Sequence, residues 1–336
     1  MHRSLIFRAL TLLAAFSVAA SLHAADKGLP TFTDATSAGP DFAVQGEYSG
    51  EIETRDGKVK HGVQVIALGE GKFRAVAYRG GLPGDGWEKD HDLVSVDGSL
   101  NDGVAVFKGE HARGEIKDGA LAVTSNSGDK LGELKKVERK SPTLGQKPPA
   151  GAVVLFDGTN PEAWKDGKLT GSSMIGAGLL EVGTQTKQSF GSCQLHLEFR
   201  TPFMPTARGQ ARGNSGVYME DTYEFQVLDS FGLEGKDNEC GGLYSIQAPQ
   251  VNMCYPPLSW QTYDFDFTAP KFDADGKKIA NARVTLKHNG VLIYDDFELP
   301  KQTPGGRGKE GGPGSIALQN HGNPVNYRNI WLVEKK

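Results

Sequence analysis

The stretch "YEFQVLDS", residues 223–230, decides how this chain is interpreted. Successive side chains of a strand point to opposite faces, so Glu224 and Gln226 would share one face, and Phe225 and Val227 the other. The apolar pair predicts a strand that packs one face on a core. Taken alone, the polar pair predicts that the second face is exposed to solvent. Evidence that this face lines a binding cleft must come from the rest of the chain.

The surrounding region, residues 151–336, is a succession of short alternating or β-branched runs separated by turn residues. Asn289-Gly290, between two apolar runs, predicts a tight hairpin. About ten to fourteen strands without helices imply a two-sheet sandwich, because each sheet must bury one face against another layer. Among the predicted strands are VVLFDG, LLEVG, CQLHLEFRT, SGVYME, GLYSI, QTYDFDFT and VNYRNIWLVEK.

Residues 26–140 are also predicted to be β, as a small antiparallel barrel or sandwich that serves as an accessory or binding domain. Asp-Gly pairs at 56–57, 97–98 and 118–119 predict hairpin turns. A Pro- and Gly-rich stretch at 141–150 predicts a linker to the second domain.

The N-terminus has the pattern of a secretory signal peptide over residues 1–25. The basic "MHRSLIFR" precedes the apolar "ALTLLAAFSVAA" and the small residues of "SLHAAD". The apolar run is shorter than the roughly 20 residues that a membrane-spanning helix needs. We therefore expect an exported protein, in the periplasm or outside the cell.

The charge balance indicates the kind of partner. With 37 Lys and Arg against 41 Asp and Glu, the formal net charge is −4, and no basic cluster predicts binding to nucleic acid or to an anionic membrane. A small or polymeric neutral ligand is expected instead.

Three cysteines fall in the second region. Cys240 and Cys254 share one loop-rich stretch and are the candidate disulfide pair, which export would permit. Cys193 lies in a predicted strand and is left unpaired. The alternative is that all three are free, buried thiols.

Several motifs occur in one order across residues 151–336, and together they resemble a known family. They are VVLFDGTNPEAW, LHLEFRTP followed by GNSGVYM, YEFQVLD, GGLY, WQTYDF, KHNGVLI and GSIALQNHGNPVNYRNIWL. The family is the 3-keto-glucoside 1,2-lyase and 3-keto-2-hydroxy-glucal hydratase domain, also called 3-keto-disaccharide hydrolase and formerly domain of unknown function 1080. The resemblance implies an all-β, concanavalin A-like jelly-roll sandwich that acts on oxidised glycosides, and an upstream sugar 3-oxidase that makes them.

Chemistry on such a substrate has three requirements. A ketone at C3 makes the C2 proton acidic, and its removal allows the C1 leaving group to depart by β-elimination, after which water adds back. The enzyme needs a base near C2, a donor or metal for the C3 oxygen, and an acid for the leaving oxygen.

His321 and Glu224 are the candidate proton-transfer residues. Histidine ordinarily exchanges protons near neutrality, and His321 lies in the matching motif "LQNHG". The alternative for His321 is a loop-capping role. The alternative for Glu224 is an ion pair with Arg328 or Arg200, which is compatible with catalysis if the arginine orients the carboxylate.

The remaining candidates would bind substrate. Gln226 and Asn214 would hydrogen-bond sugar hydroxyls, and Arg328 would stabilise the enolate unless it pairs with Asp229. Three further polar side chains on predicted strands complete the substrate-binding set: Glu198, Tyr218 and Lys287.

A divalent cation is an alternative electrophile for the ketone, with Glu224, His321 and Glu198 as its ligands. No spacing requires it, and no cofactor is assigned. Retaining glycosidases use two carboxylates about 5 Å apart, whereas Gln226 stands where a second acid would be expected. The sequence therefore favours elimination over double displacement. The alternative class is a non-catalytic carbohydrate-binding protein on the same scaffold.

Overall fold

A computed structural model describes residues 28–91, 93–170 and 178–335. The predicted signal peptide lies outside the described residues. Within them the helices are the short α1 (Gly39–Val44) and a 3-10 turn at Gly209–Ala211, and no described helix is long and apolar enough to cross a membrane. The predicted all-β fold class is confirmed.

The first region is a closed antiparallel barrel of eight strands. Around the barrel the order is β1-β10-β9-β8-β7-β6-β3-β2, and a parallel pair of two-residue strands, β4 and β5, lies in the loop after β3. The bounds are β1 (Gly46–Thr54), β2 (Gly57–Gly69), β3 (Lys72–Arg79), β4 (Leu82–Pro83), β5 (Gly86–Trp87), β6 (Leu93–Asn101), β7 (Val104–Lys108), β8 (Ala112–Lys117), β9 (Ala120–Ser125) and β10 (Lys130–Val137).

The second region is the predicted two-sheet sandwich. Its larger sheet has the order β12-β13-β24-β15-β18-β21-β22, with β11 also paired to β24. The bounds are β11 (Val153–Phe156), β12 (Leu169–Thr170), β13 (Leu179–Glu181), β15 (Cys193–Arg200), β18 (Gln261–Thr268), β21 (Ala282–His288), β22 (Val291–Leu299) and β24 (Asn326–Glu334).

The smaller sheet has four strands in the order β14-β23-β16-β17, and a separate hairpin joins β19 to β20. The bounds are β14 (Thr184–Gln185), β16 (Ser215–Met219), β17 (Tyr223–Val227), β19 (Lys271–Phe272), β20 (Lys278–Ala280) and β23 (Ala317–Leu318). The prediction of a strand at GLYSI is wrong, because this segment contributes only isolated bridges at Leu243.

The sandwich core forms between the inner faces of the two sheets. Odd-numbered residues of β15, such as Leu195 and Leu197, face odd-numbered residues of β17, such as Phe225 and Val227. The rings of Phe225 and Phe265, from opposite sheets, lie 5.0 Å apart and edge to face. This alternation fixes the direction of every even-numbered side chain on these strands, which must point away from the core.

The barrel and the sandwich share apolar contacts. Ile66, Val76 and Tyr78 of the barrel belong to the sandwich core, while Phe203 of the second region packs in the barrel core and bridges to Phe32. Because each core contains side chains from the other region, the two are packed together rather than loosely tethered.

The segment predicted as a linker lies on the outer face of the larger sheet. Ser141 and Thr143 bond Thr262 and Asp264, and the amide of Gly145 donates to Glu198 at 2.5 Å. These contacts fix the path of the chain between the barrel and the sandwich.

The hairpin predictions have different outcomes. Hairpins form at three of the predicted pairs, with turn residues 55–56, 118–119 and 289–290, but Gly98 lies inside β6. A Cβ on Gly98 would lie 2.6 Å from the carbonyl oxygen of Val106 and collide with the ring of Phe107. That glycine therefore makes room for a neighbouring strand and aromatic ring instead of forming a turn.

Gly98→Ala should lower the free energy of unfolding by about 1–3 kcal/mol, because the added methyl overpacks the barrel against Val106 and Phe107. Thermal or urea unfolding followed by circular dichroism measures this. Gly191→Ala is the control, since a Cβ there has no atom within 4 Å. Equal stability of Gly98→Ala and the wild-type protein would contradict this account of the glycine.

Candidate active site

The outer face of the smaller sheet carries the predicted polar residues. Tyr218 on β16 pairs with Glu224 on β17, and Gly216 pairs with Gln226. Glu224 and Gln226 are each 1 % exposed, and Tyr218 is 4 % exposed. The polar face of "YEFQVLDS" is therefore buried in the protein, and it is not an outer face in bulk solvent.

A cavity of about 620 Å³ opens beside this face. Tyr218 and Gln319 form part of its wall, and the charged side chains of Lys165 and Arg307 also line it. Arg307 forms a 3.3 Å ion pair with Asp221 at the rim. The remaining lining residues are Asp166, Gly183, Thr184, Gln185, Gly305, Leu318 and Asn320.

Glu224 lies behind the wall and is connected to it by Tyr218. The Tyr218 hydroxyl donates to Glu224 Oε2 at 2.6 Å and accepts from Gln319 Nε2 at 3.1 Å. Burial raises the pKa of Glu224 to about 7, although the hydrogen bond from Tyr218 and the nearby amide of Gln319 partly oppose that rise. Burial also raises the pKa of Tyr218. The carboxylate is thus the proton acceptor of the pair near neutrality.

A chain of amides fixes the neighbouring side chains. The main-chain oxygen of Asn238 can only accept, so Gln210 presents its Nε2 to it at 2.7 Å. Gln210 Oε1 must then accept, and it does so from Gln226 Nε2 at 3.0 Å and Asn214 Nδ2 at 3.1 Å. The amide oxygens of Gln226 and Asn214 are therefore left for other donors.

Four acceptor oxygens in this part of the smaller sheet have no hydrogen-bond donor among the described residues. Glu224 Oε1 leans over Gly216, where a Cβ would collide with it. The main chain of Gln319 bonds the Gly216 carbonyl at 2.9 Å on the opposite side. The unpartnered atoms are Asn214 Oδ1, Glu224 Oε1, Gln226 Oε1 and Gln319 Oε1. Of the four residues, Gln319 lines the cavity beside Tyr218, and the other three lie behind its wall.

Three predicted substrate-binding residues lie elsewhere. Glu198 and Arg328 form a 2.7 Å ion pair on the outer face of the larger sheet, and Lys287 is exposed on the same face, two strands away. The sandwich core separates this face from Glu224. The prediction that Glu198, Arg328 and Lys287 share a site with Glu224 is therefore wrong. The predicted face alternation is correct, but the two sheets turn their polar faces in opposite directions.

Glu198 is held by a buried polar cluster. Burial would raise its pKa, but hydrogen bonds from His196, Asn329, Gly145 and Arg328 lower it to about 2. Arg328 also stacks on Trp260 at 3.9 Å. Arg328 therefore pairs with neither Glu224 nor Asp229, the two alternatives considered for it. Asp229 forms its ion pair with Arg212 instead.

His321 follows the cavity-wall residue Asn320 and is half-buried. Among the described residues, no hydrogen bond joins its ring to Glu224. The residue that does bond Glu224 is Tyr218, and pairing of His321 with Glu224 stays a prediction.

The predicted disulfide is absent. Cys240 and Cys254 are free, buried thiols, as is Cys193. The Cys240 sulfur lies 3.3 Å from the Tyr263 hydroxyl, and the Cys254 thiol donates to the Leu228 carbonyl at 3.4 Å. The sulfurs of Cys240 and Cys254 thus each have a polar contact in the core, which sequence spacing cannot indicate.

The proposed metal ligands do not converge. Glu198 lies across the core from Glu224. In the described ranges, one group of three possible ligand side chains has its ligand atoms within 4.8 Å of one another, and it consists of Glu88, Asp90 and His91 of the barrel. Acidic surface groups of this kind are common without an ion.

Sequence reasoning missed Gln210, Lys165, Arg307 and Gln319 as site residues. Gln319 sits in the quoted motif GSIALQNHG, two residues before His321, and its face alternation could have identified it. Arg307 lies in a glycine-rich loop, which main-chain bonds from residues 307 and 308 to the Asp221 carbonyl and the Arg307–Asp221 ion pair hold at the cavity.

Comparison with known families identifies the sandwich. The profile of the 3-keto-alpha-glucoside-1,2-lyase-like domain matches residues 151–333, and the chain belongs to this family. The predicted family is therefore confirmed. No curated protein sequence matches the chain.

Two solved structures from Parabacteroides distasonis ATCC 8503 are similar, each described as a "putative glycosyl hydrolase". The first is 33 % identical with a TM-score of 0.50, covering 56 % of this chain and 86 % of that one. The second is 18 % identical with a TM-score of 0.39, covering 55 % of this chain and 94 % of that one.

Glu224→Gln should make stability less dependent on pH. The folded-state pKa of about 7 exceeds the ordinary 4.5, so the folded protein binds the proton more tightly and stability falls as pH rises through that interval. The amide removes a cost of about 3 kcal/mol at pH 8 and little at pH 4.5. Chemical unfolding at both pH values tests this, and equal effects at both would contradict it.

Proposed function

We propose that this chain is an exported enzyme that cleaves 3-keto-glycosides, including 3-keto-disaccharides, by C2 proton abstraction, β-elimination at C1 and hydration. The observation that carries the proposal is the Tyr218–Glu224 pair at the cavity wall, where a carboxyl with a pKa of about 7 lies behind a hydroxyl. Family membership supports action on a glycoside.

Proton abstraction passes through Tyr218. Its oxygen takes the C2 proton while its own proton moves to Glu224 Oε2, 2.6 Å away. The C2–H electron pair enters the C2–C3 bond, and the carbonyl pair moves to the C3 oxygen to form an enolate. A free tyrosinate is avoided because burial raises the Tyr218 pKa, so the transfer to the carboxylate is concerted.

Elimination and hydration follow on the same ring. The enolate re-forms the C3 carbonyl, a C1–C2 double bond forms, and the C1–O bond breaks with its electron pair leaving on oxygen. Water then adds hydroxide to C1 and a proton to C2, which makes the overall reaction a hydrolysis. Protonated Glu224 can return its proton through Tyr218.

Positive charge at the cavity stabilises the developing oxyanion. Lys165 and Arg307 line the cavity together with one acid, Asp166, and Arg307 also pairs with Asp221. A cation near the C3 oxygen lowers the energy of the enolate, and Lys165 is the candidate for that role. His321, next to the wall residue Asn320, remains the candidate acid for the leaving oxygen.

The setting of the reaction is also proposed. The N-terminal sequence pattern supports export to the periplasm or beyond the cell. Because the C2 proton is acidic only beside a C3 ketone, an upstream sugar 3-oxidase must supply the substrate.

Release of nitrophenol from a nitrophenyl 3-keto-glucoside tests the activity. Glu224→Gln and Tyr218→Phe should each lower kcat/KM by roughly 10²–10⁴, the usual contribution of general acid–base catalysis. Tyr48→Phe is the matched control, because its hydroxyl bonds the Val44 carbonyl in the barrel. Binding of intact glycans without release by the wild-type protein would instead identify a carbohydrate-binding protein.

The pH profile of kcat/KM should fall on the acid side, with an apparent pKa near 7. Below that pH Glu224 is protonated and cannot accept the proton from Tyr218. Deuterium exchange at C2 should follow the same limb. A profile that is flat from pH 5 to 8 would rule out Glu224 as the base.

A further inference from the structure

A second cavity, of about 270 Å³, lies at the turn between β16 and β17. Glu220 forms one end of it. Ala269, Pro270 and Phe272, at the start of the β19–β20 hairpin, form one wall, and residues 311–313 form another. None of these residues lines the larger cavity beside Tyr218.

The backbone at Glu220 is unusual for a carboxylate. It has a φ of 54°, in the left-handed region that non-glycine residues adopt at a cost. The turn is closed by the amide of Thr222, which donates to the Met219 carbonyl at 3.0 Å, and Glu220 is 3 % exposed. The fold therefore holds an acidic side chain in a buried and strained position.

No group among the described residues neutralises Glu220. Its Oε2 is buried without a hydrogen-bond partner, and it forms no ion pair with any described side chain. The neighbouring Glu310 is different, since Lys278 pairs with it at 2.7 Å and the Tyr223 hydroxyl donates to it. Burial, followed by the charge of Glu310, raises the pKa of Glu220 to about 7.

The residues that line the cavity determine which kind of cation could pair with the Glu220 carboxylate. Calcium takes six to eight oxygen ligands, whereas the side chains of this cavity supply one carboxylate, and the other lining residues are prolines, glycines, an alanine and a phenylalanine. An ammonium group on an apolar body fits both parts, because it pairs with Glu220 and its carbons can contact Pro270 and Phe272. At about 30 Å³ per water molecule, the cavity is large enough for a molecule of several heavy atoms.

We propose that the cavity at Glu220 binds a small organic cation, a primary alkylammonium whose charged end pairs with the Glu220 carboxylate. The proposal is independent of the proposed catalytic activity, and its test measures binding alone.

The test is a titration of the full chain with n-butylammonium chloride at pH 8, followed by calorimetry. Saturable binding is expected, and Glu220→Gln should weaken it roughly tenfold, the loss expected for a hydrogen-bonded charge pair. Glu162→Gln, at an exposed carboxylate, should bind like the wild-type protein. The neutral isostere n-butanol should bind at least tenfold more weakly than the cation.

The wild-type protein gives a second measurement that needs no variant. Binding should strengthen from pH 5.5 to pH 8 as Glu220 ionises. The other ionisable groups near it are Tyr223, Cys193 and Glu310, with Lys278 paired to Glu310. Absence of saturable binding at pH 8, equal affinity for n-butanol, unchanged binding in Glu220→Gln or weaker binding at the higher pH would each overturn the proposal.

Discussion

Every residue of the strand Tyr223–Val227 is buried, although its side chains alternate between apolar and polar. This two-sided burial is the constraint on which the candidate site depends. One face enters the sandwich core, and the other must satisfy its polar groups within the protein, because a buried polar group without a partner costs free energy. Tyr218 and the Gln210 amide supply most of those partners.

Some polar groups on that face have no hydrogen-bond partner, and these groups are the ones that could take part in a reaction. Tyr218 satisfies one oxygen of Glu224 and leaves the other unpartnered, and burial raises the pKa of the carboxyl to about 7. Glu220, at the turn of the same hairpin, is buried with even less compensation and has a similar pKa. One β-hairpin thus carries two incompletely partnered carboxyl groups, Glu220 in the wall of one cavity and Glu224 behind the wall of another, and the fold must offset both costs elsewhere.

On the larger sheet, by contrast, the buried polar side chains have hydrogen-bond or ion-pair partners. His196, Glu198 and Asp264 are joined to one another and covered by the segment that leads from the barrel. Burial would lower the pKa of His196, but hydrogen bonds to the two carboxylates raise it. A fully partnered cluster of this kind stabilises the packing of the connecting segment and leaves no free acceptor for a ligand.

The sequence alone determined the all-β class, the strand alternation that pairs Glu224 with Gln226 on one face, and the hairpin at Asn289-Gly290, because these depend on local geometry and turn chemistry. Tertiary structure decided which sheet each polar face belongs to. It paired the buried Glu198 with Arg328 and joined Glu224 to Tyr218. Strand alternation fixes a side chain's direction only relative to its own sheet, so the partners of a buried charge depend on how the sheets and loops pack.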